Sequence, residues 1–404
     1  MESNFQNFFL LSRVQAEADR VWCGVERCLF GNGKELHFKK LMDFDTIGGK
    51  SNKNGARFDL DAMYVNWLGL SLKCYLPKSE NSLSYVWESL KGKISYCNIK
   101  RLMFSSGWRY YAEIVVSGAA PTRVSIGTST MGIDPGVSTI AGVSEDACVL
   151  EELAPNAIQY EKKIQKISQS MDRSRRISNP NKYNEDGTIN RSNRDPWKYS
   201  KNYVKMCRLL KSLYRKKHAY IVDSHRELCN KLITIARYFP VEKMHFQALQ
   251  KRAKETKRQE KKTEVKQKDG TVKVIQKYKR KKRFGRSINR RAPARFLLEL
   301  KRKAEAVGGV YAEVDTKEFK ASQYNHVTDT YEKIPLSQRE KEIGKRKVQR
   351  DLYSAFLIRN ADLDFKHPDR EKCEYEFEHF ANLQDQLILK MKESGLSMRQ
   401  CFGF

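Results

Sequence analysis

Between residues 57 and 128 apolar and aromatic side chains tend to fall on every second position. Trp108, Tyr110, Ala112, Ile114 and Val116 alternate along one run, and Ser105-Ser106-Gly107 supplies a turn just before it. That period predicts antiparallel strands forming a small barrel or sandwich. Past residue 129 the pattern changes. "MGIDPGVSTIAGVSEDACVLEEL" reads as a short buried strand followed by a hairpin, and Ile158 to Arg175 as a helix. A polar loop, "SNPNKYNEDGTINRSNRDP", precedes a long helix from Trp197 to Arg237. On that helix Val204, Cys207, Leu210, Tyr214, Ile221, Leu228, Leu232 and Ile235 keep close to helical spacing. "ARYFPVEKMHFQAL" predicts a short strand. "APARFLLELKRKAEAVGG", opened by Pro293 and closed by Gly308-Gly309, predicts a helix. "VYAEVD" then reads as a strand, "KVQRDLYSAFLIRNAD" as a helix, and Tyr375 to Lys392 as a charged helix in the tail. At the other end, Val14, Val21, Val25 and Leu29 mark an amphipathic helix.

Composition narrows the class. A chain of 404 residues with 40% hydrophobic content folds into several domains, and 77 Lys+Arg against 48 Asp+Glu leaves +29, which favours a polyanionic partner. The charge is concentrated: residues 251–291 hold 19 basic and four acidic side chains. That segment is a candidate for contact with nucleic acid, although a solvated loop has the same composition. No run reaches the roughly 18 apolar residues that span a bilayer, and the N-terminus lacks the basic region of a signal peptide. The nine cysteines are scattered, odd in number and without a C-x-x-C pair, as expected for reduced thiols in a cytosolic protein. "FGNGKELHFKK" lacks the spacing of a phosphate loop.

One aspartate stands out. Asp134 interrupts the buried run in "GIDPG", and a carboxylate is rarely taken inside unless it is paired or holds a metal. An aspartate at a β-turn is the plainer account. Two further acids in comparable settings favour the metal: Glu242 near a strand end and Asp351 near a helix start. They lie 108 and 109 residues apart along the chain, so only tertiary folding brings the three together. The order of elements is that of the RNase H-like fold, in which these positions converge at one edge of a mixed sheet. Asp315 reads as a strand-end or loop-fixing residue, Asp146 as solvent-exposed and His245 as packed or on the surface. His218 and His225, seven apart on the long helix, read as surface or groove residues rather than ligands.

"GIDPG", "VEKM" and "QRDLYSAF" resemble the three split RuvC motifs of the transposon-encoded TnpB proteins and of compact type V CRISPR effectors. "KMHFQALQKR", "NRRAPARF", "VDTKEFKASQYNH" and "RDLYSAFLI" extend the resemblance over residues 129 to 362 or so. It implies an α/β RuvC (RNase H-like) nuclease core with an N-terminal β-rich wedge-like barrel and helical and basic insertions. Residues 1–56 would be a remnant of a helical recognition region and 57–128 the wedge-like domain. The core would comprise 129–250, 292–316 and 349–365, interrupted by the basic insertion 251–291 and an insertion at 317–348, with 366–404 as a tail. The implied activity is RNA-guided, transposon-associated DNA cleavage in the prokaryotic cytosol beside the nucleoid, with guide RNA and target DNA as partners and no membrane. Asp134, Glu242 and Asp351 would be the catalytic residues and ligands of two Mg²⁺ ions, Asp134 bridging both. Oligomeric state is left open.

Two departures qualify the resemblance. Many TnpB proteins carry a zinc ribbon before the third motif; here "KASQYNHVTDTYEKIPLSQREKEIGKRKVQRD" has none of its cysteines, so no zinc is expected. The stretch before the β-rich segment is also short for a helical recognition lobe. An RNA-guided DNA-binding protein or repressor without cleavage therefore stays open as an alternative, as does a guide-free nuclease of the same fold.

Overall fold

A computed structural model describes residues 2–31, 33, 35–38, 44–122, 124–250, 258–266, 271–278, 284–335 and 338–395. The chain divides into two compact units, Met1–Arg123 with Lys163–Lys216, and Val124–Lys162 with Lys217–Phe404.

The first unit begins with helix α1 (Glu2–Leu29), on which Val21, Trp22 and Leu29 are exposed. Strands β1 (Thr46–Gly48), β2 (Arg57–Asp59), β3 (Tyr64–Trp67) and β4 (Leu70–Lys73) follow, then helix α2 (Glu80–Leu90) and a long ribbon of β5 (Lys93–Phe104) and β6 (Gly107–Ser117). Phe104 pairs with Gly107, so Ser105 and Ser106 form the two-residue turn, and Gly107 takes φ +126°, where a side chain is strained. The predicted barrel does not form. The strands make two separate three-stranded sheets, β1-β5-β6 and β2-β3-β4, and no closed barrel exists among the described residues. Closure needs every edge strand paired, yet β4 pairs only with β3 and β6 only with β5. Phe58, Val65, Leu90 and Cys97 instead form a small core, in which α2 supplies Leu90 and Val86.

The second unit opens with β7 (Ser129–Thr130), β8 (Gly132–Pro135), β9 (Thr139–Val143) and β10 (Cys148–Glu152). Helices α3 (Ala157–Ser178) and α4 (Lys201–Ile235) each cross the division between units. Strand β11 (Ala236–Glu242), helix α5 (Phe246–Gln250), strands β12 (Arg258–Lys266) and β13 (Val272–Tyr278), helices α6 (Gly285–Arg291) and α7 (Pro293–Ala306), strand β14 (Val310–Val314) and helix α8 (Thr316–Phe319) come next. Four short strands, β15 (Tyr324–Asn325), β16 (Thr330–Tyr331), β17 (Glu340–Ile343) and β18 (Arg346–Gln349), lead into α9 (Arg350–Arg359) and α10 (Arg370–Glu393).

The main sheet runs β10-β9-β8-β11-β14, with β8, β9 and β10 antiparallel and β11 parallel to both β8 and β14. Alternation along each strand sends side chains to two layers. Met131, Ile133, Ile140, Val149, Phe239 and Val241 pack against α4 and α7 through Leu232, Phe296 and Leu300. Ala141, Val143 and Leu150 face α9 and α10, where Phe356, Phe377 and Phe380 fill the opposite layer.

Within the basic segment 251–291, β12 and β13 form an antiparallel hairpin; residues 251–257, 267–270 and 279–283 lie outside the described residues. The described residues of 317–348 form two small hairpins, β15-β16 and β17-β18. Lys341 is buried and donates to the Tyr324 carbonyl at 2.5 Å, and the buried His326 ring meets the Tyr353 hydroxyl at 2.7 Å. A further expectation is overturned: His225 is 1% exposed, packed edge-on against Phe296. His218 is exposed, as expected. No described helix is long and apolar enough to cross a membrane, and the eight described cysteines are free.

Candidate active site

Asp134 lies in the middle of β8, Glu242 ends β11 and Asp351 is the second residue of α9, each on the expected element. Register explains how the first two meet. Ile133 pairs with Val241 in parallel, so the next residues, Asp134 and Glu242, are side by side on neighbouring strands. Ile133 and Val241 both point to the α4 and α7 layer, so Asp134 and Glu242 point to the other face, where α9 crosses.

Helix α9 is brought in by a missing side chain. A Cβ on Gly132 would lie 2.2 Å from the Ala355 carbonyl oxygen and 2.3 Å from the Arg359 amide nitrogen, so only glycine admits the helix this close. Gly132 and Asp134 share one face of the strand, and Asp351, Ala355 and Arg359 share one stripe of the helix. The crossing at Gly132 and Ala355 therefore carries Asp351 toward Asp134. At the strand end the Gly136 amide donates to the Thr139 carbonyl at 2.9 Å, closing the turn into β9. A Cβ on Gly136 would lie 2.8 Å from the Thr139 hydroxyl, which answers for the tight Pro-Gly step.

The electrostatics follow from this crowding. Burial, and next the charges of Glu242 and Asp351, hold the Asp134 carboxyl well above the usual carboxylate range, with Arg350 pulling the other way. Burial also raises Glu242, while the neighbouring Asp134 carboxyl and Thr316 pull it the other way. Side by side, the two carboxyl groups each disfavour the other's charge. Asp351 is held differently. Its Oδ1 accepts from Arg350 Nη2 at 3.0 Å and Nε at 3.2 Å, and its Oδ2 accepts from Arg339 Nη1 and Gln349 Nε2, both at 3.3 Å. Gln349 also caps α9, accepting from the Leu352 amide at 2.6 Å.

As placed, no three His, Cys, Asp or Glu side chains among the described residues are arranged to hold a metal ion. The reason is visible in Asp351, whose oxygens face guanidinium groups. The donor set itself suits a hard divalent cation: three carboxylates, with Glu242 buried and Asp134 half-buried on neighbouring strands. Asp134 and Glu242 would hold such an ion, and Asp351 would join them only by turning away from Arg339 and Arg350.

Of the other acids considered, Asp315 caps α8 by accepting from the Lys317 amide at 2.7 Å, and Asp146 is exposed, both as expected. Exposed His245 supports α5 through its carbonyl. Sequence reasoning missed Arg339, Gln349, Arg350 and Thr316; for Arg350 and Gln349 the signal was adjacency to Asp351 in "QRD".

Neither a protein-family model nor a curated protein matches the chain. Among solved structures, the ternary complex of CRISPR-Cas12f is similar with a TM-score of 0.32 and 15% identity, over 72% of this chain and 49% of that one. This chain thus spans about half the length of that relative, and a likeness of that size carries no function.

Proposed function

We propose that the protein is an RNA-guided, Mg²⁺-dependent DNA endonuclease of the TnpB type, with a RuvC core in the RNase H fold. The observation that carries this reading is the placement of Asp134, Glu242 and Asp351 together on one face of the β10-β9-β8-β11-β14 sheet. The three motif matches and the net charge of +29 support it. Asp134 and Glu242, with Asp351 once it turns, would hold the metal. Bound Mg²⁺ would supply charge stabilisation to the attacking and leaving oxygens of an in-line phosphodiester hydrolysis. The chain's own residues do the rest: β8 and β11 fix two carboxylates in register, and α9 orients the third. Arg339 and Arg350 present guanidinium groups that can exchange Asp351 for a phosphate oxygen. Guide pairing would give most of the sequence specificity.

The test is expression with the native flanking DNA, sequencing of co-purified RNA, and a Mg²⁺-dependent cleavage assay with Asp134→Asn beside the wild type. A discrete RNA with cleavage lost in the variant supports the reading; neither RNA nor cutting sinks it. A second reading, guided binding without cleavage, is favoured by one observation, the clasp of Arg339 and Arg350 on Asp351. A discrete RNA with no cleavage by either protein would select it.

A further inference from the structure

Strands β4 and β6 are edge strands of the two sheets in the first unit, and among the described residues neither pairs with a strand on its far side. Pairing fixes which of their side chains face inward. Leu72 and Leu70 oppose Val65 and Trp67 of β3, which pack on the small core, so both leucines face that core. Ile114 and Val116 of β6 pack on the same core, so Tyr110 and Ala112, at even spacing from them, share their face. Inward apolar side chains are normally covered. Here Leu70 is 53% exposed, Leu72 39% and Tyr110 67%. Every residue of β4 is exposed, and so is every residue of β6 from Arg109 to Glu113. A cavity of about 1160 Å³ lies against both strands, lined by Leu72 and Lys73 of β4 and by Arg109, Tyr110, Ala112 and Ile114 of β6.

What the two edges lack is backbone. The Cys74 amide donates to the Met63 carbonyl at 2.8 Å, so alternation turns the amides and carbonyls of Ser71 and Lys73 away from β3. In the ribbon the two-residue turn between Phe104 and Gly107 sets the parity, and those of Tyr110 and Ala112 turn away from β5. Rows of such groups beside an apolar floor are a template for one more strand. A lipid chain or a base would fill the cavity and leave the rows unmet. The devices that protect an edge are also missing: neither strand contains proline, and no inward position on either carries a charge. Charge sets the sign of the partner. Among the described residues no carboxylate pairs with Lys73, or with Arg109, whose guanidinium lies over the Phe104 ring. Lys91, also at the cavity, is held by Glu88 at 2.7 Å.

We propose that β4 and β6 together receive an extended segment of a separate polypeptide chain, apolar at alternate positions and acidic at its ends. The inserted strand joins β2-β3-β4 to β1-β5-β6. Its backbone pairs with Ser71 and Lys73 on one side and with Tyr110 and Ala112 on the other, its apolar side chains cover Leu72 and Tyr110, and its acids meet Lys73 and Arg109. The site goes beyond the proposed function and depends neither on cleavage nor on a guide.

The experiment is fluorescence anisotropy on the full chain with a labelled synthetic peptide of roughly seven residues, an ordinary strand length, in which valine and threonine alternate between terminal glutamates. Ser71→Pro and Ala112→Pro each remove one outward amide and leave the ladders to β3 and β5 intact. Each should weaken binding about tenfold, whereas Ser71→Val and Ala112→Val, which keep the amide, should bind as the wild type does. Leu72→Asp puts a charge on the inward face at an exposed side chain and should also weaken binding about tenfold; it decides the matter should a proline variant fail to fold. Unchanged binding in Leu72→Asp and in the folded proline variants would overturn the site, as would a wild type that does not bind the peptide. A loss in the valine variants equal to that in the proline variants would overturn backbone pairing as its basis. Displacement of the peptide by unlabelled oligo-U would give the cavity to nucleic acid, and a dimer that the peptide dissociates in sedimentation would give it to a second copy; either result overturns the proposal. None of these outcomes bears on the Mg²⁺-dependent cleavage by which the nuclease reading is judged.

Discussion

Gly132 and the Ala355 carbonyl meet where helix α9 crosses the sheet in the candidate site, with no space for even one methyl group between them. Because the obstacle is backbone on both sides, it cannot move aside as a flexible side chain does. Gly132→Ala should therefore cost about 3 kcal/mol or more, at the upper end of overpacking, and a urea titration of the variant measures it. A loss under about 0.5 kcal/mol would mean that α9 crosses the sheet elsewhere.

The crowding of Asp134, Glu242 and Asp351 predicts opposite effects on stability and activity. Replacing Asp134 with asparagine removes an acid that burial and two like charges disfavour, so the variant should be more stable by about 1–2 kcal/mol in metal-free buffer. Mg²⁺ should raise the melting temperature of the wild type and leave that of Asp134→Asn nearly unchanged, since only a ligand held by the native state stabilises it. Melting curves in EDTA and in Mg²⁺ decide both points. A destabilised variant in EDTA would contradict the reading of the acids as mutually repelled.

His225 predicts an acid-side weakness. Both ring nitrogens are buried without a hydrogen-bond partner of good geometry, and burial pushes the imidazole down to about 4. The folded value lies below the unfolded one, so the unfolded chain binds more protons between roughly pH 6.5 and 4. Stability is then intact above that window and falls as pH falls through it, by on the order of 3 kcal/mol at the bottom. His225→Phe should flatten this part of the pH profile. Chemical denaturation at pH 7 and pH 5 for both proteins supplies the comparison, and identical profiles would rule the residue out as the cause.

Tyr353 supports the hairpins that precede α9. Its hydroxyl meets His326 Nδ1 at 2.7 Å and accepts from the His326 amide at 3.2 Å, all in the interior. Tyr353→Phe keeps the ring and strands both groups, which should cost about 1–3 kcal/mol. Tyr353→Phe combined with His326→Phe should recover part of the loss, because no polar side chain is then left unmet. A double variant as unstable as the single one would place the cost in packing.

Much of the second unit was legible because its signals are local. Asp134 sits where an apolar run breaks at Pro-Gly, Glu242 where a β pattern ends, and Asp351 just inside a helix start. The strand faces were implicit in the period of two. His225 was also readable: it falls on the stripe of Ile221, Leu228 and Leu232 that packs inward, and its polarity masked its position. The barrel was not readable, because alternation tells which residues form strands and nothing about whether edge strands find partners. The guanidinium clasp on Asp351 depends on Arg339, twelve residues away across β17 and β18, and no periodicity marks such a contact.

Helix α9 is buried without interruption from Leu352 to Arg359, so it has no free side on which to roll or slide. In mechanical terms it is a clamped beam whose first turn carries Asp351. Compliance at the centre is left to side-chain torsions, those of Asp351 and of its partner Arg339, whose side chain is 45% exposed. Whatever enters the site meets a fixed backbone template and a movable charge, so the adjustment that separates an idle centre from a working one is the rotation of a guanidinium group rather than the closing of a domain.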